Sequence, residues 1–196
     1  MRSIIFASHN AHKLRELTEI FGQEIILVSL SDMGFEEDIP EPYPTFEENA
    51  LQKARTIYTH FGVNVLAEDT GLEVFALDGQ PGVHSARYAG EQRQSEDNMA
   101  LLLDKLLDKS DRSAQFRTVM ALIWEGREYI FEGVVQGQIA HKKQGTNGFG
   151  YDPVFVPAGY TQTFAELPAE VKNSNSHRAR AAAKVSDFLQ TQIDSK

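Results

Sequence analysis

The chain has 196 residues, of which 41% are hydrophobic, and its formal net charge is −9. This length is sufficient for one domain with a sizeable core, and the acidic balance disfavours a broad surface for nucleic-acid backbone. No apolar run is long enough to cross a membrane, and the first apolar stretch is too short for a signal peptide. The absence of cysteine excludes disulfides, thiol catalysis and thiolate metal sites. We therefore expect a cytoplasmic protein without nucleic-acid or membrane partners.

The predicted elements begin with a β-α-β unit. Residues 3–8 have the pattern of a buried strand, residues 10–21 that of an amphipathic helix ending at Gly22, and residues 24–28 that of a second strand. This order predicts a parallel pair of strands. The prolines of residues 38–44 predict an extended loop.

A capped helix and several strands are predicted next. Thr45 and Glu48 form a capping-box pattern ahead of a helix that ends at Gly62. The later elements are predicted in this order: strands at 63–68 and 72–77 on either side of EDTG, a loop at 78–90, a helix at 95–107, a hairpin of 114–124 and 128–139, a glycine-rich loop at 144–150, an edge strand at 151–156 and a helix at 176–191. The predicted fold class is α/β, with a mixed sheet and flanking helices.

The segment SHNAHK, residues 8–13, lies where the first strand meets the first helix. Backbone N–H groups and the helix dipole favour an anion there, and Lys13 adds a positive charge. Ser8 and Asn10 can donate hydrogen bonds to the same anion. The alternative is structural, with Asn10 as the helix cap and Lys13 in solvent.

Two adjacent carboxylates, Glu68 and Asp69, interrupt an apolar strand pattern. Neighbouring strand residues point to opposite faces, so both cannot face solvent if the strand is central. A buried carboxylate requires a cation or a metal, and paired hard oxygens suit Mg²⁺. The alternative is a turn, with local hydrogen bonds from Asp69 and unusual dihedral angles at Gly71. Glu41, in the proline-rich loop, is a third metal ligand if EDTG is a metal site and otherwise a surface charge.

The last predicted helix begins with His177, Arg178 and Arg180, where the helix dipole disfavours cations. Their placement indicates either a local anion or polar ligand, or an ion pair with a distant acid. Upstream, glycines around Phe149 permit the close approach of a flat ligand on which Phe149 can stack, and Asp152 adds a polar group. The alternative there is an ordinary loop with buried aromatic side chains.

Six motifs occur along the chain in this order: SHNAHK, TFEENA, EDTG, PGVHSARYAG, GTNGFGYDP and KNSNSHR. With this set the chain resembles the noncanonical purine nucleoside-triphosphate pyrophosphatases, the inosine and xanthosine triphosphatases, from Ile4 to the last helix. The resemblance implies an elongated mixed sheet with two lobes around a central substrate cleft, in one domain over residues 1–196. It also implies a homodimer and a Mg²⁺ requirement. One departure is His84, where a tyrosine is common.

The implied reaction converts ITP, dITP or XTP to the monophosphate and pyrophosphate, which removes these nucleotides from the pool. Asp69 is then the general base that deprotonates the attacking water, and Glu41, Glu68 and Asp69 hold the metal. The resemblance also implies substrate binding by these residues: Ser8, His9, Asn10, Ala11, His12, Lys13, Thr70, Phe149, Gly150, Tyr151, Asp152, Lys172, His177 and Arg178.

Two other functions stay open on the sequence. A Maf-like nucleotide pyrophosphatase shares the early S-x-N-x-x-K pattern, although the SHR and FGYD motifs argue against it. A non-catalytic nucleotide sensor would keep Lys13, Phe149 and Arg178 but would not need the acidic residues at 41, 68 and 69.

Overall fold

The computed structural model describes residues 2–194. Among them, six strands form one sheet in the order β2-β1-β3-β4-β5-β6. The strands are β1 (Arg2–Phe6), β2 (Ile25–Val28), β3 (Val65–Val74), β4 (Ser113–Trp124), β5 (Arg127–Ile139) and β6 (Phe155–Pro157). The α-helices are α1 (Ala11–Phe21), α2 (Phe46–Phe61), α3 (Ser95–Lys105), α4 (Ala169–Asn175) and α5 (His177–Asp194), and 3₁₀ helices form at Phe75–Leu77 and Gly82–Arg87.

The sheet is mixed, as predicted. β1 pairs in parallel with β2 and with β3, whereas β6 pairs antiparallel with β5. The parallel register places Ile4 opposite Leu27 and Ile5 opposite Val65. The predicted β-α-β opening is therefore confirmed, with α1 as the crossover that parallel strands require.

Side-chain caps fix the starts of α1 and α2. The Asn10 side chain accepts hydrogen bonds from the backbone N–H groups of His12 and Lys13, and Thr45 accepts one from Glu48. Each cap satisfies N–H groups that have no partner within the helix. The predicted helix starts are confirmed to within one residue.

The predicted hairpin is also confirmed, because β4 and β5 are joined by a two-residue turn. Glu125 and Gly126 in this turn have φ angles of +49° and +78°. Two successive positive φ angles match the twist of the strands on either side and favour a tight connection.

The prediction of two strands around a turn at EDTG is wrong. β3 runs without interruption through Glu68 and Asp69, and the chain then turns into a 3₁₀ helix at Phe75–Leu77. No turn is needed because both carboxylates have cationic neighbours within the fold. Gly71 lies in the strand and has no positive φ angle.

Two further differences lie in the last third of the chain. The edge strand was predicted from residue 151, but residues 151–154 form a turn and β6 begins at Phe155. The backbone N–H of Phe155 donates to the carbonyl of Tyr151 and closes this turn. The sequence did not predict α4, which precedes the last helix.

The described chain divides into two compact units, each with its own apolar core. Unit 1 takes its residues from Met1–Asp69, Thr118–Gly133 and Arg178–Lys196, and unit 2 from Thr70–Arg117 and Val134–His177. The sequence-based assignment of residues 1–196 to a single domain stays a prediction. No helix within residues 2–194 has the length and apolar character that a membrane crossing demands.

Each core consists of side chains of its own unit, most of them from strands and helices. In unit 1 the buried residues include Ile4, Phe6, Leu17, Leu66, Met120, Leu122 and Val185. In unit 2 they include Leu72, Met99, Leu102, Phe116, Phe155 and Phe164. Burial of each such side chain is worth about 1.5–3 kcal/mol, and it fixes the strands from which the polar residues project.

Candidate active site

The most deeply buried charges in unit 1 are those of Glu68 and Arg178. Arg178 donates from Nε to Glu68 Oε2 at 2.9 Å and from Nη2 to Oε1 at 2.8 Å. Its Nη1 donates to the carboxylate of Glu16 on α1. Lys13 Nζ lies 3.2 Å from Glu68 Oε1. This ion-pair network joins β3 to α1 and α5, on the face of β3 that Leu66 shares.

The network holds both charges in their ionised forms. Burial alone would raise the pKa of Glu68, but Arg178 and Lys13 reverse this effect and hold the pKa well below its usual range. Burial likewise lowers the pKa of Arg178, and the carboxylates of Glu68 and Glu16 more than compensate, so that it ends raised. Glu68 is therefore anionic at neutral pH.

Asp69 points to the opposite face of β3, toward α2. Asn49 Nδ2 donates to Asp69 Oδ2 at 3.2 Å, and Lys53 Nζ lies 3.7 Å from Asp69 Oδ1. The same ammonium group makes a short ion pair with the carboxylate of Glu41. Lys53 thus lies beside two carboxylates that come from different segments of the chain.

The pKa of Asp69 is raised, in contrast to that of Glu68. Burial is the main cause, the Lys53 cation opposes it, and the nearby Glu41 carboxylate adds to it. Glu68 and Asp69 therefore differ in pKa because Glu68 pairs with the Arg178 guanidinium, whereas Asp69 lies near the Lys53 ammonium, which also pairs with Glu41. A carboxylate with a raised pKa is the better general base of the two.

Asn49, Lys53 and Glu16 are site residues that the sequence analysis did not identify. All three are buried. Asn49 and Lys53 are four residues apart on α2, among the buried Phe46 and Ile57, so they belong to the inward face. The signal available in the sequence was a polar side chain on the apolar stripe of an amphipathic helix, because such a residue needs a buried partner.

The phosphate motif at residues 8–13 forms the turn between β1 and α1. Asn10 is the helix cap, as the structural alternative proposed, and its N–H donates to Ser8 Oγ at 3.2 Å. Lys13 is not solvated, since its side chain is only 16% exposed and pairs with Glu68. The remaining members of the motif, His9, Ala11 and His12, are exposed.

A second group of predicted substrate-binding residues lies around Asp152 in unit 2. Its Oδ2 accepts from Lys172 Nζ at 2.6 Å and from the backbone N–H of Phe149 at 2.8 Å. The Lys172 ammonium lies 4.9 Å from the centroid of the Phe149 ring. Gly148 has a φ angle of +77°, and a Cβ there would lie 2.0 Å from Asp152 Oδ2, so this position requires glycine.

Buried aromatic contacts fix the other predicted residues of unit 2. The Tyr151 hydroxyl donates to the carbonyl of Ser85 at 2.9 Å, and burial raises its pKa. The His177 ring stacks on Phe116, with centroids 4.6 Å apart and planes 16° apart. Thr70 is half-buried at the point where β3 enters this unit, and Gly150 is also half-buried.

The predicted metal ligands do not converge on one point. Within residues 2–194, no cluster of at least three histidine, cysteine, aspartate or glutamate side chains is arranged to hold a metal ion. Both oxygens of Glu68 accept from Arg178. Of the three predicted ligands, Glu41 and Asp69 are the two whose carboxylates share a cation, the Lys53 ammonium.

Comparison with known proteins agrees with the fold and these motifs. The Ham1 family model matches residues 4–188. A Porphyromonas gingivalis protein named dITP/XTP pyrophosphatase is 48% identical over 190 residues, covering 96% of this chain and 98% of that protein. A solved structure of the Staphylococcus aureus Ham1 protein superimposes with a TM-score of 0.88 at 40% identity, covering 97% of this chain and 100% of the other. This chain belongs to the Ham1 family.

A second relative and a second structure agree with this assignment. The Flavobacterium johnsoniae protein of the same name is 48% identical over 186 residues, covering 95% of this chain and 97% of that protein. A Mycobacterium abscessus structure titled as a nucleoside-triphosphatase and dITP/XTP pyrophosphatase has a TM-score of 0.76 and 45% identity, covering 93% and 98% of the two chains. The predicted family, fold class and enzyme class are confirmed.

Replacing Arg178 with methionine is expected to lower the free energy of unfolding by about 3–5 kcal/mol. The substitution keeps much of the side-chain volume but leaves two buried carboxylates, Glu68 and Glu16, without the guanidinium. Equilibrium urea denaturation followed by circular dichroism measures the change.

The matched control is Arg55→Met. Arg55 makes a bidentate pair with Glu128 at 2.7 Å, but the two side chains are 56% and 39% exposed. We expect this variant to lose less than about 1 kcal/mol. Equal losses in the two variants would contradict the importance of the buried network.

Glu68 should also make stability depend on pH. The unfolded chain protonates Glu68 near its usual pKa of 4.5, whereas the folded chain keeps it ionised to much lower pH. The stabilisation is therefore complete above that pH and is lost progressively below it. The difference in unfolding free energy between the wild type and Glu68→Gln should be largest at pH 7 and shrink by pH 3.5. A difference that is constant or grows on acidification would refute the depressed pKa.

Proposed function

We propose that this chain hydrolyses noncanonical purine nucleoside triphosphates, namely dITP, XTP and ITP, to the monophosphate and pyrophosphate. The main support is its similarity over nearly the whole chain to proteins named dITP/XTP pyrophosphatase. The structural feature that agrees with this activity is the adjacent pair of buried carboxylates, in which the pKa of Glu68 is lowered and that of Asp69 is raised. Removal of such triphosphates would cleanse the nucleotide pool.

In this proposal, Asp69 is the general base. Its raised pKa lets it accept a proton from the attacking water more readily than a solvated aspartate does. Asn49 fixes the orientation of the carboxylate by a hydrogen bond to Oδ2 and leaves Oδ1 toward Lys53. Glu68 stays anionic and instead holds Lys13 and Arg178 in place.

The triphosphate is proposed to bind at the turn between β1 and α1. Most of its residues are exposed at the N-terminus of α1, where N–H groups and the helix dipole favour an anion. Two of the first N–H groups, those of His12 and Lys13, already donate to Asn10. The Lys13 ammonium supplies the charge that stabilises the departing pyrophosphate.

A divalent cation, Mg²⁺, is proposed as the cofactor. The residues that suit it are Glu41 and Asp69, since hard carboxylate oxygens are preferred ligands and both already lie beside one cation, Lys53. When bound, the metal would acidify the attacking water and offset phosphate charge. Metal ligation by Glu68 stays a prediction, although both of its oxygens accept from Arg178 in this structure.

Base recognition is assigned to unit 2 together with the start of α5. Phe149 offers a ring for stacking, and the contacts of its backbone and of Lys172 with Asp152 fix its position. Hypoxanthine and xanthine carry a 6-oxo acceptor, so N–H donors such as His177 suit them and leave the 6-amino group of adenine unmatched. Such a mismatch can discriminate by about 10⁴.

A homodimer in the cytoplasm is proposed from the family resemblance. Unit 1 carries large apolar side chains that are exposed in the single chain, including Ile26, Tyr43 and Val63. Burial of this kind of surface is a common source of dimer stability. Size-exclusion chromatography with light scattering tests the oligomeric state.

The activity is tested by pyrophosphate release from dITP, XTP, ITP, GTP, ATP and dTTP, with Mg²⁺ and with chelator. We expect metal-dependent turnover of the first three, with kcat/KM for ATP lower by about 10⁴. The products should be the monophosphate and pyrophosphate, which chromatography separates from a diphosphate and phosphate. Preference for a pyrimidine nucleotide would favour the Maf-like alternative, and binding without turnover would favour the sensor.

Replacing Asp69 with asparagine should lower kcat by about 10²–10⁴ while the protein remains folded. Asparagine keeps the size and the contact with Asn49 but cannot accept the proton. Because burial disfavours the ionised form of Asp69 and raises its pKa, we expect the unfolding free energy at pH 7 to stay the same or rise when the charge is removed. Steady-state kinetics and urea denaturation measure the two effects, and turnover at the wild-type rate would remove Asp69 as the base.

A further inference from the structure

The loop that carries Glu41 has no regular secondary structure over residues 35–42. At one end Phe35 is buried, and its ring contacts His60 edge-on with centroids 5.4 Å apart. At the other end the Tyr43 backbone exchanges two hydrogen bonds with the Asn49 side chain, at 2.9 and 3.0 Å. Both ends are thus attached to α2, and within the loop Ile39 is buried and the Glu41 carboxylate pairs with Lys53. The exposed residues 36–38 lie between these attachments.

His9 supplies a contact at the middle of this loop. Its Nε2 lies 3.0 Å from the carbonyl oxygen of Glu37, and because a carbonyl can only accept, Nε2 carries the proton and donates. The His9 ring also lies nearly parallel to Phe35, with centroids 6.4 Å and planes 15° apart. The contacted carbonyl is four residues before Glu41.

The turn that bears His9 is itself well fixed. The Ala7 N–H donates to the carbonyl of Leu66 on β3 at 2.8 Å, and the Asn10 N–H donates to Ser8 Oγ. The Asn10 side chain then caps α1. His9 therefore projects from a turn held to the sheet on one side and to a helix on the other, and can impose that position on the loop.

We propose that His9 is a positioning residue, whose imidazole fixes the Glu41 loop to the phosphate-binding turn. The His9 side chain contacts the Glu41 loop, while the backbone of the turn at residues 8–13 binds the phosphate of the substrate. The order of the loop and the binding of phosphate are therefore coupled through His9. The loop contact rests on geometry alone, and only its consequence for metal and substrate rests on the proposed function.

The first test measures the order of the loop without turnover. A glutamate-specific protease is applied to the ligand-free full chain, and mass spectrometry follows cleavage after Glu36 and Glu37 relative to Glu125 in the β4–β5 turn. We expect His9→Ala to speed the loop cleavages by about tenfold, the effect of losing one hydrogen bond. His9→Gln, whose amide can donate to the same carbonyl, should restore most of the protection.

Two control variants separate this contact from general effects of removing a histidine. His60→Ala removes the edge contact with Phe35 but leaves the bond to Glu37, and His141→Ala removes an exposed histidine of unit 2. His141→Ala should keep the wild-type cleavage pattern, and His60→Ala should speed loop cleavage less than His9→Ala does, because Phe35 keeps its contact with Phe61. Loop cleavage that is unchanged in His9→Ala, or raised as much in His60→Ala, would overturn the proposal.

The second test separates a positioning role from direct contact with phosphate. With Mn²⁺ as the probe, electron paramagnetic resonance should show weaker binding to His9→Ala, by about threefold or more, and the Mg²⁺ concentration for half-maximal activity should rise in parallel. KM for dITP at saturating Mg²⁺ should change less than about twofold. A raised KM with unchanged Mn²⁺ binding would instead make the imidazole a phosphate ligand. If the wild type did not hydrolyse dITP, the proteolysis result would still stand.

Discussion

Two adjacent carboxylates in a central strand impose the main constraint on unit 1. Glu68 and Asp69 point to opposite faces of β3, so the nearest cations of the two carboxylates differ. On one face Arg178 and Lys13 come from α5 and α1, and on the other Lys53 comes from α2. An unpaired buried charge costs several kcal/mol, so these ion pairs add to the apolar contacts that hold the three helices on the sheet.

The different cationic neighbours of Glu68 and Asp69 also give the two carboxylates different pKa values. A bidentate guanidinium with good hydrogen-bond geometry fixes Glu68 as an anion, whereas Asp69 has an ammonium at 3.7 Å that it shares with Glu41. Environments that push the pKa values of neighbouring groups apart are how one site provides different acid–base roles. In the proposed mechanism, in which Asp69 is the base, the two carboxylates are therefore distinguished by how far their cations offset the effect of burial on the pKa.

The sequence predicted local features well and long-range partners poorly. The caps at Asn10 and Thr45 and the hairpin turn at 125–126 depend on a few neighbouring residues, and all were confirmed. The break in β3 was predicted wrongly because the partner of Glu68, Arg178, is 110 residues away. For Arg178 the sequence left an ion pair and an anion ligand open, and the structure contains the ion pair. The motif residues were found by resemblance, whereas Lys53 lay on an apolar helix stripe and carried no motif signal.

The charge balance of unit 1 explains how an acidic protein can take a polyanionic substrate. The buried cluster contains the cations Lys13, Lys53 and Arg178 and the carboxylates Glu16, Glu41, Glu68 and Asp69, so the acids outnumber the bases by one. Arg178 donates hydrogen bonds to two of these acids, Glu68 and Glu16. A triphosphate entering alone would meet a cluster that is net negative, which disfavours binding. Under the proposed Mg²⁺ requirement, a triphosphate that arrives with the metal would bring the missing positive charge to Glu41 and Asp69, and this charge balance would then favour the metal complex as the substrate.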